Sequence, residues 1–415
     1  MRVLCSVTGS PSHGRAVLPF ARALGAAGHD VVVACAPDVA GVFADAPVRV
    51  EAVFAPMTEA AEHLGPVLAA LGDPASLSTT ELTRAMLPTL FAGPQVTGSA
   101  RALLEVCDRD GKPDLVLRDG GETAGLLVAE HLGVPCVAAP SGAGNVLTPE
   151  IVADALAERR RDLGFAAPAD PAALHRWGRL DCMPAEFSLA APGITAPLAF
   201  RQDDQVARGE TLPAWIGELP AGRPLVLAGI GTAMPMMARR GEDAARAGEP
   251  PPRGPVDPHV ALRTVVDAVS RLDAEVVLST GGLPLDDVDL PDHVHPSPWV
   301  PQPLLLQCAD LFLTHGGYNG VREAVRHGVP LAVLPQFGDQ EHNAERVAAL
   351  GIGAHCPPDP AQVAETCAEL LGDRGAPVRA QMRRAQRAML ALPQADAAVS
   401  DLEDLAEGRR ATLAG

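Results

Sequence analysis

Lysine is nearly missing from this chain: Lys112 is the sole example, and arginine supplies the other cations. Acidic residues outnumber basic ones by 51 to 33, which gives a formal charge of −18 and a pI near 5.0. With no basic patch to offset that balance, nucleic acid and anionic membrane surfaces are repelled at long range and are not expected as partners. No apolar run is long enough to span a bilayer. Met1 leads straight into a strand-like RVLCSV, without the basic start, apolar stretch and cleavage site of a secretory signal, so a cytoplasmic protein is expected. The eight cysteines (Cys5, Cys35, Cys107, Cys136, Cys182, Cys308, Cys356, Cys367) form no CxxC and no cluster, and they read as reduced core thiols.

Catalytic signatures are missing too. No HExxH occurs, and the acidic group Asp286, Asp287 and Asp289 has no histidine beside it, so no metal site is expected. No GxSxG elbow supports a serine hydrolase. No solenoid-type repeat is visible.

What is present is a chain of 415 residues, 47% hydrophobic, long enough for two to three domains with proper cores. Short apolar strands alternate with glycine turns and helical stretches in two halves, which predicts α/β architecture with parallel sheets. Strands are expected at Val3–Val7, Val31–Ala34, Leu115–Arg118 and Cys136–Ala139, then at Leu225–Ala228, Glu275–Ser279, Leu311–Thr314 and Leu331–Leu334. The expected division is a first domain over 1–205, a linker over 206–222, a second domain over 223–390, and a helical tail over 391–415 that returns to the first domain. Phe54–Val106 and Ser141–Pro192 break the alternation and are expected to carry specificity. Met236–Pro258 is polar and proline-rich, and it reads as a mobile loop.

Two constellations carry chemistry. In SPSHGRAVLPF, His13 lies after the first strand and immediately before the first helix, at the carboxyl end of a parallel sheet where α/β proteins bind ligands. It is either a base or a residue bonded to its own turn. His29, at the end of the same helix, reads as a cap. In PDLVLRDGGET, Asp119 ends another strand; if that strand neighbours the first, its carboxylate reaches His13 and fixes the imidazole tautomer. Alternatively, Asp119 or Glu122 caps the helix beginning near Thr123.

The second constellation is WVPQPLLLQCADLFLTHGGYNGVREAVRHGVPLAVLPQFGDQ, from Trp299 to Gln340. A buried strand runs into His315 and a glycine turn, then into a helix, and such a turn leaves backbone N–H groups at the positive end of a helix dipole, where phosphate is held without a metal. Upstream, LVLAGIGTAMP repeats the device and ends at Thr232. Taken singly, Trp299 suits core packing, His315 a satisfied buried histidine, and Glu323 a solvated helix position.

Together these residues resemble the two-domain nucleotide-sugar glycosyltransferases of the UDP-glycosyltransferase superfamily, in particular the bacterial enzymes that decorate antibiotics and other natural products. The likeness covers nearly the whole chain. It implies two Rossmann-like domains facing across a cleft, the GT-B fold, with TDP- or UDP-sugar as donor, a small apolar acceptor, no cofactor and no metal; a homodimer is compatible with it. Trp299 would stack on the pyrimidine, Gln302 and Glu323 would lie near the ribose, and His315 with the backbone of Gly317 and Asn319 would hold the diphosphate. Thr232 would touch a phosphate, and Asp339 and Gln340 would face the sugar hydroxyls. His13 would be the catalytic base and Asp119 its orienting acid. The implied reaction is metal-free transfer with inversion, into an apolar, roomy acceptor pocket built from aliphatics, methionines and a few phenylalanines. Gly320 stands where relatives often carry serine, and the Met236–Pro258 insertion is atypical. An epimerase or hydrolase on the same scaffold, or a non-catalytic partner of another transferase, are the competing readings.

Overall fold

The computed structural model describes residues 1–71, 77–166, 174–194, 197–206, 209–248, 256–285 and 288–413. Two compact units result, one from Met1–Asp203 with Leu392–Gly415 and the other from Asp204–Ala391.

In the first unit, β1 (Arg2–Val7), β2 (Asp30–Cys35), β3 (Arg49–Ala52), β4 (Leu115–Asp119) and β5 (Cys136–Ala139) form one parallel sheet in the order β3-β2-β1-β4-β5. A two-stranded pair, β6 (Leu180–Asp181) and β7 (Leu198–Ala199), lies in the same unit. The sheet is covered by helices α1 (Pro11–Ala26), α2 (Pro37–Ala40), α3 (Met57–Glu62), α4 (Leu64–Ala70), α5 (Thr79–Ala92), α6 (Gln95–Asp110), α7 (Ala124–Leu132) and α8 (Pro149–Leu163). The strands are near-continuous runs of Val, Leu and Cys because both faces of a parallel sheet are covered. Leu24, Leu115, Leu117 and Leu127 are fully buried, each contributing roughly 1.5–3 kcal/mol.

In the second unit, β8 (Leu225–Gly229), β9 (Glu275–Ser279), β10 (Val294–Ser297), β11 (Leu311–Thr314), β12 (Leu331–Val333) and β13 (Gly353–His355) form a parallel sheet in the order β10-β9-β8-β11-β12-β13. Its helices are α9 (Ala233–Ala247), α10 (Pro258–Val269), α11 (Gln302–Leu305), α12 (Tyr318–His327), α13 (Gln340–Ala349), α14 (Pro360–Leu371) and α15 (Ala376–Leu390). The last helix, α16 (Ala398–Ala406), belongs to the first unit and buries Leu402 and Leu405 in that unit's core.

Strand order decides where ligands bind. From β1 the chain goes to one side through β2 and β3 and returns to the other side at β4; from β8 it leaves through β9 and returns at β11. Each sheet therefore has a switch point, between β1 and β4 and between β8 and β11, where connections diverge and leave a crevice at the strands' carboxyl ends.

Three expectations are corrected. Over the described part of Met236–Pro258 the chain is mainly helix: α9 runs to Ala247 and ends at Gly248 in the left-handed conformation. Met, Ala, Arg and Glu are strong helix formers, Met234 and Ala238 enter the core one turn apart, and the proline run begins only at Pro250, in a stretch (249–255) outside the described residues. His13 lies inside the first turn of α1 rather than before it, because Pro11 at the first helical position is pre-organised for helix. His29 does not cap α1: the backbone closes that end through Gly28 N–H to Gly25 O and His29 N–H to Leu24 O, and its ring instead lies 3.0 Å from Glu403 on α16 and 3.3 Å from the Met1 amine. The described residues of 206–222 belong to the second unit and include a 3-10 turn at Ala214–Glu218. Asp286 and Asp287 lie outside the described residues.

Candidate active site

At the switch point of the first sheet, β1 and β4 are hydrogen-bonded neighbours with Ser6 opposite Arg118, which sets the turn after β1 beside the end of β4. His13 in the first turn of α1 meets Asp119, the last residue of β4, with Nδ1 2.7 Å from Oδ2. Asp119 is fully buried. Burial pushes its carboxyl up, but the charge and hydrogen bond of His13, a hydrogen bond from Ser141 and the Gly121 N–H at 3.3 Å outweigh that and hold it below the usual carboxylate range. An ionised carboxylate only accepts, so Nδ1 carries the proton and basicity resides on Nε2.

Ser141 was not among the residues singled out in the sequence, although it follows β5, the strand beside β4, and so lies at the same carboxyl edge. A close backbone crossing brings it in. A Cβ on Gly120 would lie 2.9 Å from the Gly144 Cα and 3.0 Å from the Ser141 Cβ, so glycine is required for this approach. Arg118 supports the same turn from below: fully buried, it donates from Nη1 to the carbonyls of Asp119 (3.3 Å), Gly120 (2.8 Å) and Glu122 (3.0 Å). The capping role falls to Glu122, which accepts from the Ala124 and Gly125 N–H groups at the start of α7 and from the Ser6 hydroxyl at 2.5 Å. Burial pushes its carboxyl upward.

At the switch point of the second sheet, β11 ends at Thr314 and the turn through His315, Gly316 and Gly317 leads into α12. Gly316 has φ +84° and Gly317 is the N-cap, so the first N–H groups of this ten-residue helix point to the crevice at the strand ends. The His315 ring fills a slot between two glycines: a Cβ would stand 2.3 Å from its Cε1 at Gly231 and 2.6 Å from its Nε2 at Gly317. Desolvation lowers its pKa to about 4, so the ring is neutral at neutral pH. Its Nδ1 has no hydrogen-bond partner among the described residues.

Along α12, Glu323 accepts from Gln302 Nε2 at 2.7 Å and from Arg322 at 3.2 Å, which gathers the two expected ribose residues into one group. Asn319 lies in the first turn of the same helix. Asp339 is tied to this turn through Asn343, whose amide donates to Asp339 Oδ2 (2.7 Å) and to the Gly316 carbonyl (2.9 Å). Gln340 is buried, and its side-chain oxygen is occupied by the N–H groups of Gln336 (2.9 Å) and Phe337 (3.2 Å). That leaves only its amide nitrogen for a ligand. Thr232 is exposed at the N-cap of α9, next to the Gly231 that touches His315. Trp299 is 58% exposed, a rare state for so large an apolar ring, and its Nε1 lies 3.4 Å from Glu210. Among the described residues, no group of three or more His, Cys, Asp or Glu could hold a metal ion.

Residues 263–405 match the C-terminal domain of the erythromycin biosynthesis protein CIII-like family. Over 398 residues the chain is 32% identical to the L-demethylnoviosyl transferase of Streptomyces niveus, across 92% of this chain and 93% of that protein. The chain belongs to the natural-product branch of the UDP-glycosyltransferase superfamily. This glycosyltransferase is also 26% identical, over 99% of both chains, to the 3-alpha-mycarosylerythronolide B desosaminyl transferase of Saccharopolyspora erythraea. The crystal structure of glycosyltransferase VinC in complex with DTDP matches 98% of this chain and 100% of its own at a TM-score of 0.68 and 25% identity. The glycosyltransferase therefore has the GT-B fold and uses nucleotide sugars.

Proposed function

We propose that this glycosyltransferase moves a sugar from a TDP- or UDP-sugar to a hydroxyl of a small, largely apolar natural product, with inversion and without a metal. The observation that carries this is the His13–Asp119 pair, 2.7 Å apart at the switch point of a unit separate from the one that bears the donor signature. Donor binding alone does not require such a base. His13 Nε2 takes the acceptor's proton, the oxygen attacks the anomeric carbon, and the bond from that carbon to the diphosphate breaks with its electrons leaving on the nucleotide. One displacement inverts the centre. Asp119 stays ionised and stabilises the imidazolium.

The leaving charge is met by the amino terminus of α12, by the neutral His315 and by the Thr232 hydroxyl. Because His315 is neutral, it acts as a hydrogen-bonding group and not as a counter-charge. Trp299, already exposed, offers its face to the pyrimidine; Gln302 and Glu323 take the ribose, and Asp339 and the Gln340 amide take the sugar hydroxyls. The thymidine nucleotide named for VinC favours TDP among the two.

Replacing His13 with alanine should lower kcat about 10²- to 10⁴-fold while calorimetric binding of TDP is retained. Unchanged transfer would overturn the mechanism. Donor epimerisation or hydrolysis that survives the substitution would assign the other enzyme class, and a parent protein that binds TDP but turns nothing over would assign the auxiliary role.

A further inference from the structure

Asn343, near the start of α13, is fully buried in the second unit and lies just past the stretch from Trp299 to Gln340. Its side-chain nitrogen gives one hydrogen to the Gly316 carbonyl at 2.9 Å and the other to Asp339 Oδ2 at 2.7 Å. Both partners are acceptors, which fixes the orientation of the amide. Its Oδ1 has no hydrogen-bond partner among the described residues. A buried acceptor left unpaired lowers stability, so this amide is not what stability alone would select.

Asp339 holds the N-cap position of α13, where an aspartate ordinarily turns its carboxylate back onto the first N–H groups of its own helix. Here it makes no such bond, and its backbone is helical, with φ −73° and ψ −5°, rather than extended. The carboxylate is drawn to Asn343 instead. The Gly316 carbonyl at the other end of the bracket belongs to the turn between β11 and α12, which has φ +84° at Gly316 and no room for a side chain, since a Cβ there would stand 2.5 Å from Val333. One nitrogen thus ties two segments together. Serine or threonine would offer a single hydrogen for this task, and an ionised aspartate none.

We propose that Asn343 is a positioning residue for selection of the donor sugar: it fixes the Asp339 carboxylate relative to the turn that receives the diphosphate, so that a sugar with a hydroxyl facing Asp339 is favoured over one without. This rests on the reading above in which Asp339 meets the sugar and the turn after β11 meets the diphosphate. A nucleotide sugar joins those two groups through a short covalent link, so a hydroxyl reaches Asp339 at hydrogen-bonding distance and angle only if the carboxylate keeps its place relative to the phosphates. Without the amide, the carboxylate is released to its ordinary capping role on α13. Asn343 touches no donor atom in this account; it acts through Asp339.

Isothermal titration with TDP and with TDP-glucose tests this through the ratio of the two Kd values, in which any effect of the lost Gly316 bond on the diphosphate falls on both ligands and cancels. Asp339→Ala and Asn343→Ala should each raise the Kd of TDP-glucose relative to TDP roughly three- to tenfold, the range of one hydrogen bond. The double variant should raise it no further than Asp339→Ala alone, because the two residues act as one unit. Asn343→Asp, which keeps the shape and sets a carboxylate against a carboxylate, should raise the ratio at least as much as Asn343→Ala. Retained TDP binding reports a folded variant; where Asn343→Ala loses it, Asn343→Asp takes its place in the comparison. A ratio unmoved by either Asn343 substitution, effects that multiply in the double variant, or loss of TDP binding in both Asn343 variants would overturn the proposal, the last by making Asn343 a residue of the fold. Failure of the underlying reading shows separately, as a ratio unmoved in Asp339→Ala, and it takes the proposal with it.

Discussion

His315 illustrates how a single side chain is specified from outside itself. Its ring sits where Gly231 and Gly317 leave room, and Gly231 also has φ +75°, a conformation that side-chain-bearing residues rarely adopt. Gly231→Ala would place a methyl 2.3 Å from the ring and strain the backbone at once. The expected outcome is a loss of TDP affinity of about tenfold or more, from about 1–3 kcal/mol of displaced geometry, read by calorimetry, and TDP affinity equal to the parent's would mean that the His315 slot does not set donor binding. Ser141 presents the milder case. Ser141→Ala removes one of three hydrogen bonds that keep Asp119 ionised, so kcat should fall about three- to tenfold, from roughly 0.5–1.5 kcal/mol, at unaltered donor KM. A fall in donor affinity instead would place Ser141's influence elsewhere.

Helix α9 shows what composition hides and what propensity reveals. The polar, proline-bearing stretch after Met236 suggests a loop, yet each residue from Met236 to Ala247 other than Gly241 is a tolerable or strong helix former, and Met234 and Ala238 anchor one face. Ala244→Pro separates the two descriptions. In a helix interior it removes an N–H and clashes with the preceding turn, which costs about 3 kcal/mol, whereas a mobile loop would absorb it without effect. Urea unfolding of the second unit reads the difference.

In α1 the reverse holds, since Pro19 lies inside a helix where its missing N–H leaves the Arg15 carbonyl without its usual donor. Gln202 supplies that donor at 3.0 Å from a remote part of the same unit. No local signal marks Gln202 for this task. By contrast, the approach of His13 to Asp119 was legible, because both follow apolar strands that a parallel α/β pattern sets side by side. Ser141 and Arg118 were not, since their contacts depend on the Gly120–Gly144 crossing and on burial of a cation, neither of which leaves a periodic trace in the sequence.

Over the whole molecule, each unit holds, among its described residues, a histidine in a state that resists protonation: His175 is buried, and His315 is partly buried. His175 in the first unit is pushed down to about 3, chiefly by desolvation and then by Arg118 and Arg179, and His315 in the second unit to about 4 by desolvation. In the unfolded chain both take up a proton as pH falls through 6.5, the ordinary value. The folded protein does not until the pH is near 3 to 4. Between those limits the unfolded state binds more protons, so stability rises with pH and is lost on acidification from about 6.5 downward. The slope is at most about 1.4 kcal/mol per pH unit for each group, and less for His315, which is only partly shielded from solvent. Because the two groups lie in different units, both units should weaken in the same window. Denaturant unfolding at pH 7 and pH 5 should show the midpoint falling in the parent protein, with a smaller fall in His175→Gln/His315→Gln, whatever the absolute stability of that variant. An equal fall in both proteins would mean that other groups set the acid limit and that these two histidines gain protons in the fold as readily as outside it.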